Sequence, residues 1–192
     1  MIRSNHYEAA FEAYLRSRGV GFVAVDEARR SLLGATDVKS LDFIIVGPES
    51  SKLVVDVKGR KFPGGSADNP RKVWQNWSTE EDVDGLHRWA GQFGAEFRGV
   101  LAFVYRIVPP FCVAEGTPDR FAFKNDVYLM RAIEVTAYRS AMTARSAKWA
   151  TVHLPTEDFR RLVRPFSDFL RRPVMIAPSA YPQTVPDLED LP

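Results

Sequence analysis

Cysteine is almost absent from this chain, and its scarcity excludes two classes of small protein. Cys112 is the only cysteine among the 192 residues, so neither an intrachain disulfide nor a cysteine-based zinc cluster can form. The three histidines, His6, His87 and His153, lack the close spacing of zinc ligands, and we interpret them as individual structural or surface residues. The sequence therefore argues against zinc and predicts a reducing compartment.

Long apolar runs and glycine-rich phosphate loops are also missing. Residues 1–6 contain no apolar signal-peptide core, and no stretch approaches the length of a membrane span. Residues 59–65 have neither the Walker spacing nor the dinucleotide fingerprint, and no serine, histidine and acid combination shows a nucleophile elbow. We therefore expect a cytoplasmic protein without a membrane partner, and find no support for ATP-driven or acyl-transfer chemistry.

The overall charge is nearly balanced. Lysine and arginine number 26 against 24 acids, for a formal charge of +2, which permits a polyanionic partner without demanding one. A hydrophobic content of 45% is enough for one sizeable core. We predict a single domain over residues 1–172, followed by a proline-rich, acidic tail over residues 173–192.

Two acidic residues lie inside stretches that otherwise have the pattern of apolar β-strands. Asp42 is embedded in SLDFIIV and Asp56 in LVVDVK. Because residues two apart in a strand project from the same face, Asp56 and Lys58 are expected to point together. An alternative interpretation places Asp42 at a strand entrance and Asp56 to Lys58 on a solvated edge.

The five residues between these strands predict their register. If residues 47–51 form a hairpin loop, Val46 faces Lys52 and, four pairs back, Asp42 faces Asp56. The two β-carbons would be about 5 Å apart, which is unfavourable for like charges unless a cation compensates them. Oxygen ligands suit Mg²⁺, with Mn²⁺ as a substitute, and such an ion can activate water against a phosphodiester. Lys58 would orient the nucleophile or offset negative charge.

The order of a carboxylate-bearing helix, an acid-bearing strand and an Asp-x-Lys strand resembles the PD-(D/E)xK nuclease superfamily over about residues 5–106. Asp42 matches the first motif acid and Asp56 to Lys58 the second half-motif, while Leu41 stands where the superfamily has proline. The layout is similar to that of archaeal Holliday-junction resolvases, in which a first-helix glutamate joins the metal site. The resemblance implies an α/β (α+β) fold with a restriction-endonuclease-like αβββαβ core and a mixed central sheet flanked by helices. By analogy it also suggests a homodimer.

Helical geometry favours one of two glutamates as the additional metal ligand. Glu8 lies at the margin of the apolar stripe of the first helix, and Glu12 lies about 40° further toward solvent. Glu8 is therefore the predicted ligand and Glu12 the alternative, although either would also be an ordinary exposed helix carboxylate. The stretch HYEAAFE at residues 6–12 also resembles the signature of the HYExAFE family of uncharacterised proteins, which implies no function.

Basic and aromatic residues follow the Asp-x-Lys strand. We predict phosphate contacts for one group of basic residues, with simple solvation as the alternative: Arg29, Arg30, Arg60, Lys61, Arg71 and Lys72. Trp74, Trp77 and Trp89 could stack on unpaired bases, although core packing is the preferred interpretation. Gln75 is a candidate polar neighbour of the metal site on sequence proximity alone.

Further elements are expected after this region. Thr79 is predicted to cap a second helix, and residues 99–108 to form a strand covered on both faces. The C-terminal part is predicted to add a hairpin across residues 124–126, a short helix over residues 137–145 and a terminal helix over residues 157–170.

The leading hypothesis from the sequence is a Mg²⁺-dependent nuclease acting on DNA. Glu8, Asp42 and Asp56 would hold the ion, and Lys58 would assist attack by metal-bound water. The competing hypothesis is a noncatalytic nucleic-acid-binding or scaffold protein that keeps the same fold, and an enzyme acting on RNA is a third.

Overall fold

The computed structural model describes residues 5–25, 31–33, 36–38, 41–66 and 68–171. The helices are α1 (His6–Ser17), α2 (Glu80–Phe93), α3 (Val135–Ala141) and α4 (Thr156–Leu162). The strands are β1 (Gly21–Ala24), β2 (Ser31–Leu33), β3 (Thr36–Val38), β4 (Phe43–Val46), β5 (Lys52–Phe62), β6 (Gly64–Gly65), β7 (Pro70–Arg71), β8 (Ser78–Thr79), β9 (Phe97–Ile107), β10 (Arg120–Phe123), β11 (Asp126–Glu134), β12 (Thr143–Ser146), β13 (Thr151–His153) and β14 (Arg164–Pro165).

Within the described residues, seven strands form one mixed sheet. Their order is β1-β4-β5-β9-β11-β10, and β14 also pairs with β11. The pair β5 and β9 is parallel, whereas the other pairs in this sheet are antiparallel. The order of the elements α1, β1, β4, β5, α2 and β9 is αβββαβ, which confirms the predicted fold class.

The sheet is covered on both faces by helices. On one face, Phe11, Tyr14 and Leu15 of α1 pack into a core cluster with alternate residues of β4 and β5. On the other face, Val83 and Leu86 of α2 join a second cluster. A parallel pair such as β5 and β9 requires a crossover connection, and α2 supplies it. None of the helices in the described part of the chain has both the length and the apolar character needed to cross a bilayer.

Both principal helices begin where the sequence indicates. The side chain of Asn5 accepts a hydrogen bond from the backbone N–H of Tyr7 at 3.0 Å, capping α1. Thr79 and Asp82 form a capping box at the start of α2, because each side chain bonds the backbone N–H of the other. The predicted strand over residues 99–108 and the hairpin across residues 124–126 are also confirmed by β9, β10 and β11.

The predicted terminal helix over residues 157–170 is wrong. Helix α4 ends at Leu162, and the chain continues as β14 and a 3₁₀ segment, Phe166–Leu170. Pro165 explains the break, because proline has no N–H to donate within a helix and disfavours helical geometry at the preceding Arg164. The helix predicted over residues 137–145 is likewise shorter than expected. Its last residues form β12, which pairs with β13.

Asp119 ties the C-terminal segment to the first helix. Its carboxylate is fully buried and accepts hydrogen bonds from the Tyr14 hydroxyl at 2.8 Å, Arg18 Nη2 at 2.8 Å and the Ser167 backbone N–H at 2.7 Å. Burial and the neighbouring Asp119 charge raise the pKa of the Tyr14 hydroxyl above its ordinary value. One acid therefore connects three separate parts of the chain.

We expect Asp119→Asn to lower the free energy of unfolding by about 3 kcal/mol, because one carboxylate oxygen becomes an amide donor facing other donors. Asparagine tolerates the positive φ of 60° at this position, so little backbone strain is added. The matched control is Asp126→Asn, whose partly exposed pair with Arg106 at 2.9 Å should contribute at most about 1 kcal/mol. Equal losses in urea titrations of the two variants would contradict the role given to Asp119.

Candidate active site

The two acid-bearing strands pair in the predicted register. Strands β4 and β5 are antiparallel, and Val46 lies opposite Lys52 while Phe43 lies opposite Val55. The register predicted from the loop length is therefore confirmed from Val46 to Phe43. Asp42 lies one position beyond the last of these pairs, and its backbone N–H bonds the Val55 carbonyl at 2.9 Å instead of continuing the ladder to Asp56. The predicted pairing of Asp42 with Asp56 stays a prediction.

Asp56 and Lys58 lie on the face of the sheet covered by α2. Leu53, Val55 and Val57 of β5 belong to the core cluster shared with α1, whereas Val54 belongs to the cluster shared with α2. By strand alternation, Asp56 and Lys58 share the face of Val54. Helix α1 packs against the opposite face at Gly59, where an added β-carbon would lie 2.3 Å from the Tyr7 ring.

Lys58 is held between two carboxylates. Its Nζ lies 2.6 Å from Asp56 Oδ2 and 2.7 Å from Asp82 Oδ2, and the side chains of all three residues are largely buried. Burial alone would lower the pKa of the Lys58 ammonium, but the Asp56 and Asp82 charges outweigh it and raise the pKa above its ordinary value. Lys58 therefore remains protonated at neutral pH.

Asp82 is the residue of this site that sequence reasoning missed. Its position in the chain indicates only an acid in the first turn of a helix, and it does take part in the capping box with Thr79. Its Oδ2 also lies 3.3 Å from Ser78 Oγ, which donates to it. No local pattern connects residue 82 with Lys58, because the contact depends on how α2 packs over β5.

Asp42 is almost completely buried, and its carboxylate bonds to the neighbouring strand. Its Oδ2 accepts a hydrogen bond from the backbone N–H of Val57 at 2.6 Å. Its own N–H donates to the Val55 carbonyl at 2.9 Å, and its carbonyl accepts from Val25 at 2.9 Å. A charged acceptor on a backbone donor makes a strong hydrogen bond. Asp42 therefore stabilises the β4–β5 pair through both its backbone and its carboxylate.

The structure does not bring Glu8 into a recognisable three-ligand group. Glu8 Oε1 accepts from Asn5 Nδ2 at 2.6 Å, and Glu12 pairs with Arg16 at 2.7 Å along α1. No three acids, histidines or cysteines in the described ranges are grouped so that they could hold a metal ion. The roles of Glu8 and Glu12 as metal ligands stay predictions.

The carboxylates of Asp42 and Asp56 nevertheless fit Mg²⁺ in their donor chemistry. Mg²⁺ is usually bound through one or two carboxylates, together with waters and substrate phosphate oxygens, so a third protein ligand is not required. Two carboxylates, those of Asp56 and Asp82, share the single ammonium of Lys58, so this group of three side chains carries a formal charge of −1. Such a site can accept a divalent cation.

The predicted phosphate-binding residues lie in different environments. Lys61, Arg71 and Lys72 are exposed, and Lys61 Nζ lies 3.4 Å from the Gly65 carbonyl. Arg29 and Arg30 lie outside the described residues, as does the predicted tail over residues 173–192.

Arg60 and Gln75 are engaged within the protein. Arg60 is 9% exposed and donates to the carbonyls of Gly59 and Trp77, while its guanidinium lies 4.0 Å from the centroid of the Trp77 ring. Burial lowers the pKa of this guanidinium from its ordinary value. This placement leaves Arg60 little surface for the predicted phosphate contact. The side chain of Gln75 lies beside Gly64, at the far end of β5 from Asp56.

We expect Lys58→Met to lower the free energy of unfolding by about 3 kcal/mol or more, since it removes the ammonium shared by two buried carboxylates. Lys52→Met is the matched control on the same strand. Its partner Glu96 is largely exposed, so the change should be within about 1 kcal/mol. Urea titrations at neutral pH would measure both, and a loss at residue 58 no greater than at residue 52 would contradict the buried ion-pair argument.

The pH dependence provides a second check of the same variant. Because folding raises the pKa of Lys58, its stabilisation is fully present below the unfolded pKa of about 10.4 and is lost as the pH rises through the folded value. The difference in stability between the wild type and Lys58→Met should therefore shrink only in strongly alkaline solution.

The similarity of this chain to known proteins lies among solved structures. No family model matches the chain, so the resemblance of residues 6–12 to the HYExAFE signature has no support at the family level. No curated protein matches either. Among solved structures, the chain is similar to the 1.6 Å resolution structure of Archaeoglobus fulgidus Hjc, a Holliday junction resolvase from an archaeal hyperthermophile. The sequences are 12% identical, the alignment covers 86% of this chain and 98% of that chain, and the TM-score is 0.47.

Proposed function

We propose that this protein is a Mg²⁺-dependent nuclease that hydrolyses phosphodiester bonds in DNA. The observation that supports the proposal is that two buried acids have contacts at neighbouring residues of β5: Asp56 contacts Lys58 Nζ at 2.6 Å, and the Asp42 carboxylate bonds the Val57 N–H at 2.6 Å. Burying carboxylates is unfavourable unless a positive charge or hydrogen bonds compensate them. This combination of charges is suited to a reaction in which negative charge accumulates on a phosphate.

Each residue of the site has a role in the proposed reaction. Asp42 and Asp56 would hold the ion, and Glu8 is the proposed additional ligand. The ion, when bound, would polarise a phosphoryl oxygen and lower the pKa of a bound water. Lys58 stays protonated and would donate a hydrogen bond to the attacking water or to a phosphate oxygen. Asp82 is a positioning residue, because it holds the Lys58 ammonium at 2.7 Å and is not one of the proposed metal ligands.

Several finer features belong to the same proposal. They include membership of the PD-(D/E)xK superfamily, the preference for DNA over RNA, Mn²⁺ as a substitute ion, a homodimer, a single domain over residues 1–172 and a cytoplasmic location. The αβββαβ order and the confirmed β4–β5 register support the first of these. Phosphate contacts by Lys61, Arg71 and Lys72 agree with the exposure of these residues.

A noncatalytic nucleic-acid-binding or scaffold protein is the second candidate. The observation in its favour is that the acids have structural partners within the chain. The Asp42 carboxylate bonds the Val57 N–H at 2.6 Å, and Asp56 is paired with Lys58. In this alternative the acids stabilise the sheet, and no bond is cleaved.

We expect purified protein to nick or cleave DNA with Mg²⁺ or Mn²⁺ and to be inactive in chelator. Asp56→Asn should reduce the rate at least about 100-fold, because loss of residues that merely support metal ligands already reduces activity 10- to 100-fold. Asp84→Asn is the matched control, since Asp84 lies on α2 in a partly exposed pair with Arg139 at 2.9 Å and should leave the rate unchanged.

The substrates for this assay are supercoiled, branched and single-stranded DNA, together with RNA. Cleavage that persists undiminished in Asp56→Asn would place the activity elsewhere or in a contaminant. Binding without cleavage of any substrate would favour the scaffold alternative, and cleavage of RNA alone would correct the proposed substrate.

Ion binding can be tested separately from cleavage. At Mg²⁺ one hundredfold above the dissociation constant, binding stabilises the folded state by about 2.7 kcal/mol. For a chain of this size that corresponds to a rise in Tm of about 5 to 10 °C. Asp42→Asn and Asp56→Asn should lose this rise, whereas Asp84→Asn should keep it. Glu8→Gln tests the additional ligand in the same way, and an equal Mg²⁺ response in all variants would contradict the site.

A further inference from the structure

A cavity of about 930 Å³ lies beside the C-terminal end of β5. Phe62, the last residue of β5, lines it together with the coil segment between β7 and β8 and part of the chain after β9. The volume falls within the range typical of small-molecule sites. The cavity is separate from the acids of the candidate active site, since neither Asp42 nor Asp56 lines it.

The coil segment that forms one wall is held by side chains from three other elements. The hydroxyls of Tyr105 and Tyr138 donate to the carbonyls of Gln75 at 3.0 Å and Asn76 at 2.8 Å. Arg60 donates to the carbonyl of the next residue, Trp77. Consecutive backbone carbonyls are thus bonded by buried groups, so the wall is preorganised although it has no regular structure.

The side chain of Asn76 adds two hydrogen bonds to the same wall. Its Nδ2 donates to the Leu154 carbonyl at 3.2 Å, and its Oδ1 accepts from the Leu154 N–H at 3.0 Å. The coil is thereby joined to Leu154, the residue after β13, which also lines the cavity. A site that is already ordered loses little conformational freedom when a ligand binds.

Aromatic rings line this cavity. Phe62 and Trp74 are stacked with centroids 3.8 Å apart and an angle of 7° between their planes, and both are only half-buried. The guanidinium groups of Arg60 and Arg145 lie 4.0 Å and 5.1 Å from the centroid of the Trp77 ring. Phe111 lies 5.1 Å below the Lys72 ammonium. Flat rings with cations above them suit planar, electron-rich ligands that carry negative charge.

The charged side chains described in the lining of the cavity are all basic. Arg71, Lys72, Arg145 and Arg160 line the cavity and are exposed, and none of the described residues that line it is acidic. This is unusual in a chain whose net charge is only +2. The local excess of cations is complementary to a ligand with several phosphates.

We propose that this cavity binds unpaired nucleotides of a single-stranded nucleic acid. The bases would stack on the aromatic rings, and the flanking phosphates would contact the four exposed cations. Paired bases keep their faces inside the helical stack, so a duplex cannot offer the same contacts. The combination of rings and cations favours this ligand over an acidic peptide, which has charge without bases.

The cavity is aligned with the candidate active site along one strand. Every second residue of β5 points to the same face, and these residues include Asp56, Lys58, Arg60 and Phe62. At 3.3 Å per residue, Phe62 lies about 13 Å along the strand from Lys58. A single nucleic-acid strand held in the cavity could therefore extend to the acids of the candidate active site. This last step rests on the proposed nuclease function, whereas binding in the cavity does not.

The sole cysteine of the chain can report ligand binding in the cavity directly. Cys112 is exposed and lines the cavity, so a ligand bound there should slow its reaction with a chromogenic thiol reagent. The measurement uses the full chain in chelator, where metal-dependent cleavage cannot interfere, and titrates an oligothymidylate, the corresponding RNA and a blunt duplex. Polyglutamate serves as a polyanion without bases. Failure of the nuclease proposal would leave this result unaffected.

Single-stranded DNA, RNA or both should protect Cys112, and the difference between them identifies the preferred sugar. In the variant Lys72→Ala/Arg145→Ala, the slope of log affinity against log salt should fall in magnitude by about 1.4, or 0.7 for each lost phosphate contact. Phe111→Leu should weaken binding about fivefold or more, since it removes an aromatic surface but keeps an apolar one. Arg88→Ala and Phe93→Leu, both exposed on α2 and outside the cavity lining, are the matched controls.

Other results would overturn the proposal. They are the absence of protection by either single strand, protection by duplex or polyglutamate equal to that by single strands, or equal effects of the cavity variants and their controls. Near-ultraviolet circular dichroism of each variant separates a loss of binding from a loss of folding. If Phe111→Leu does not fold, the salt dependence of Lys72→Ala/Arg145→Ala decides the question, because both of those side chains are exposed.

Discussion

The contact of Lys58 with Asp56 and Asp82 joins the central sheet to the helix that crosses over it. Asp56 and Lys58 come from β5, and Asp82 comes from the first turn of α2. Three charged side chains can be largely buried here only because each has a partner of opposite sign at hydrogen-bonding distance. The same contact fixes the ammonium beside Asp56, so the packing of the fold and the electrostatics of the site depend on one interaction.

One face of β5 packs into the apolar core, and the other face carries the charged residues of the candidate active site. The face toward α1 carries Leu53, Val55 and Val57 in a continuous apolar core, closed at Gly59 by the Tyr7 ring. The other face begins with buried Val54 and then carries Asp56, Lys58, Arg60 and Phe62. Alternation along an extended strand lets one segment serve both purposes, because each residue changes face from its neighbour. Helix α1 and the Asp119 contacts secure the first face, and α2 covers the second.

Arg60 connects the two regions for which we propose functions. It follows Lys58 on the same face of β5, and it both bonds the Trp77 carbonyl and stacks on the Trp77 ring. Because Trp77 lines the aromatic cavity, the position of its ring depends on a residue of the acid-bearing strand. A change that moves β5 would alter the acids and the cavity together. Substrate positioning and chemistry would then be coupled through the strand rather than through a mobile loop.

The αβββαβ order was expected from the resemblance to the PD-(D/E)xK superfamily. Local patterns in the sequence were sufficient for the main helix starts, the alternation of β5 and the register of β4 with β5. Each of these depends on neighbours close in the chain, such as Thr79 with Asp82 or the loop between Val46 and Lys52. The terminal helix was predicted wrongly because its apolar spacing was given more weight than Pro165. The pairing of Asp82 with Lys58, the burial of Arg60 and the cavity around Trp74 and Trp77 came only from the folded chain. They arise where α2, β9 and the residues after β9 pack together, and side-chain contacts over such distances leave no periodic signal in the sequence.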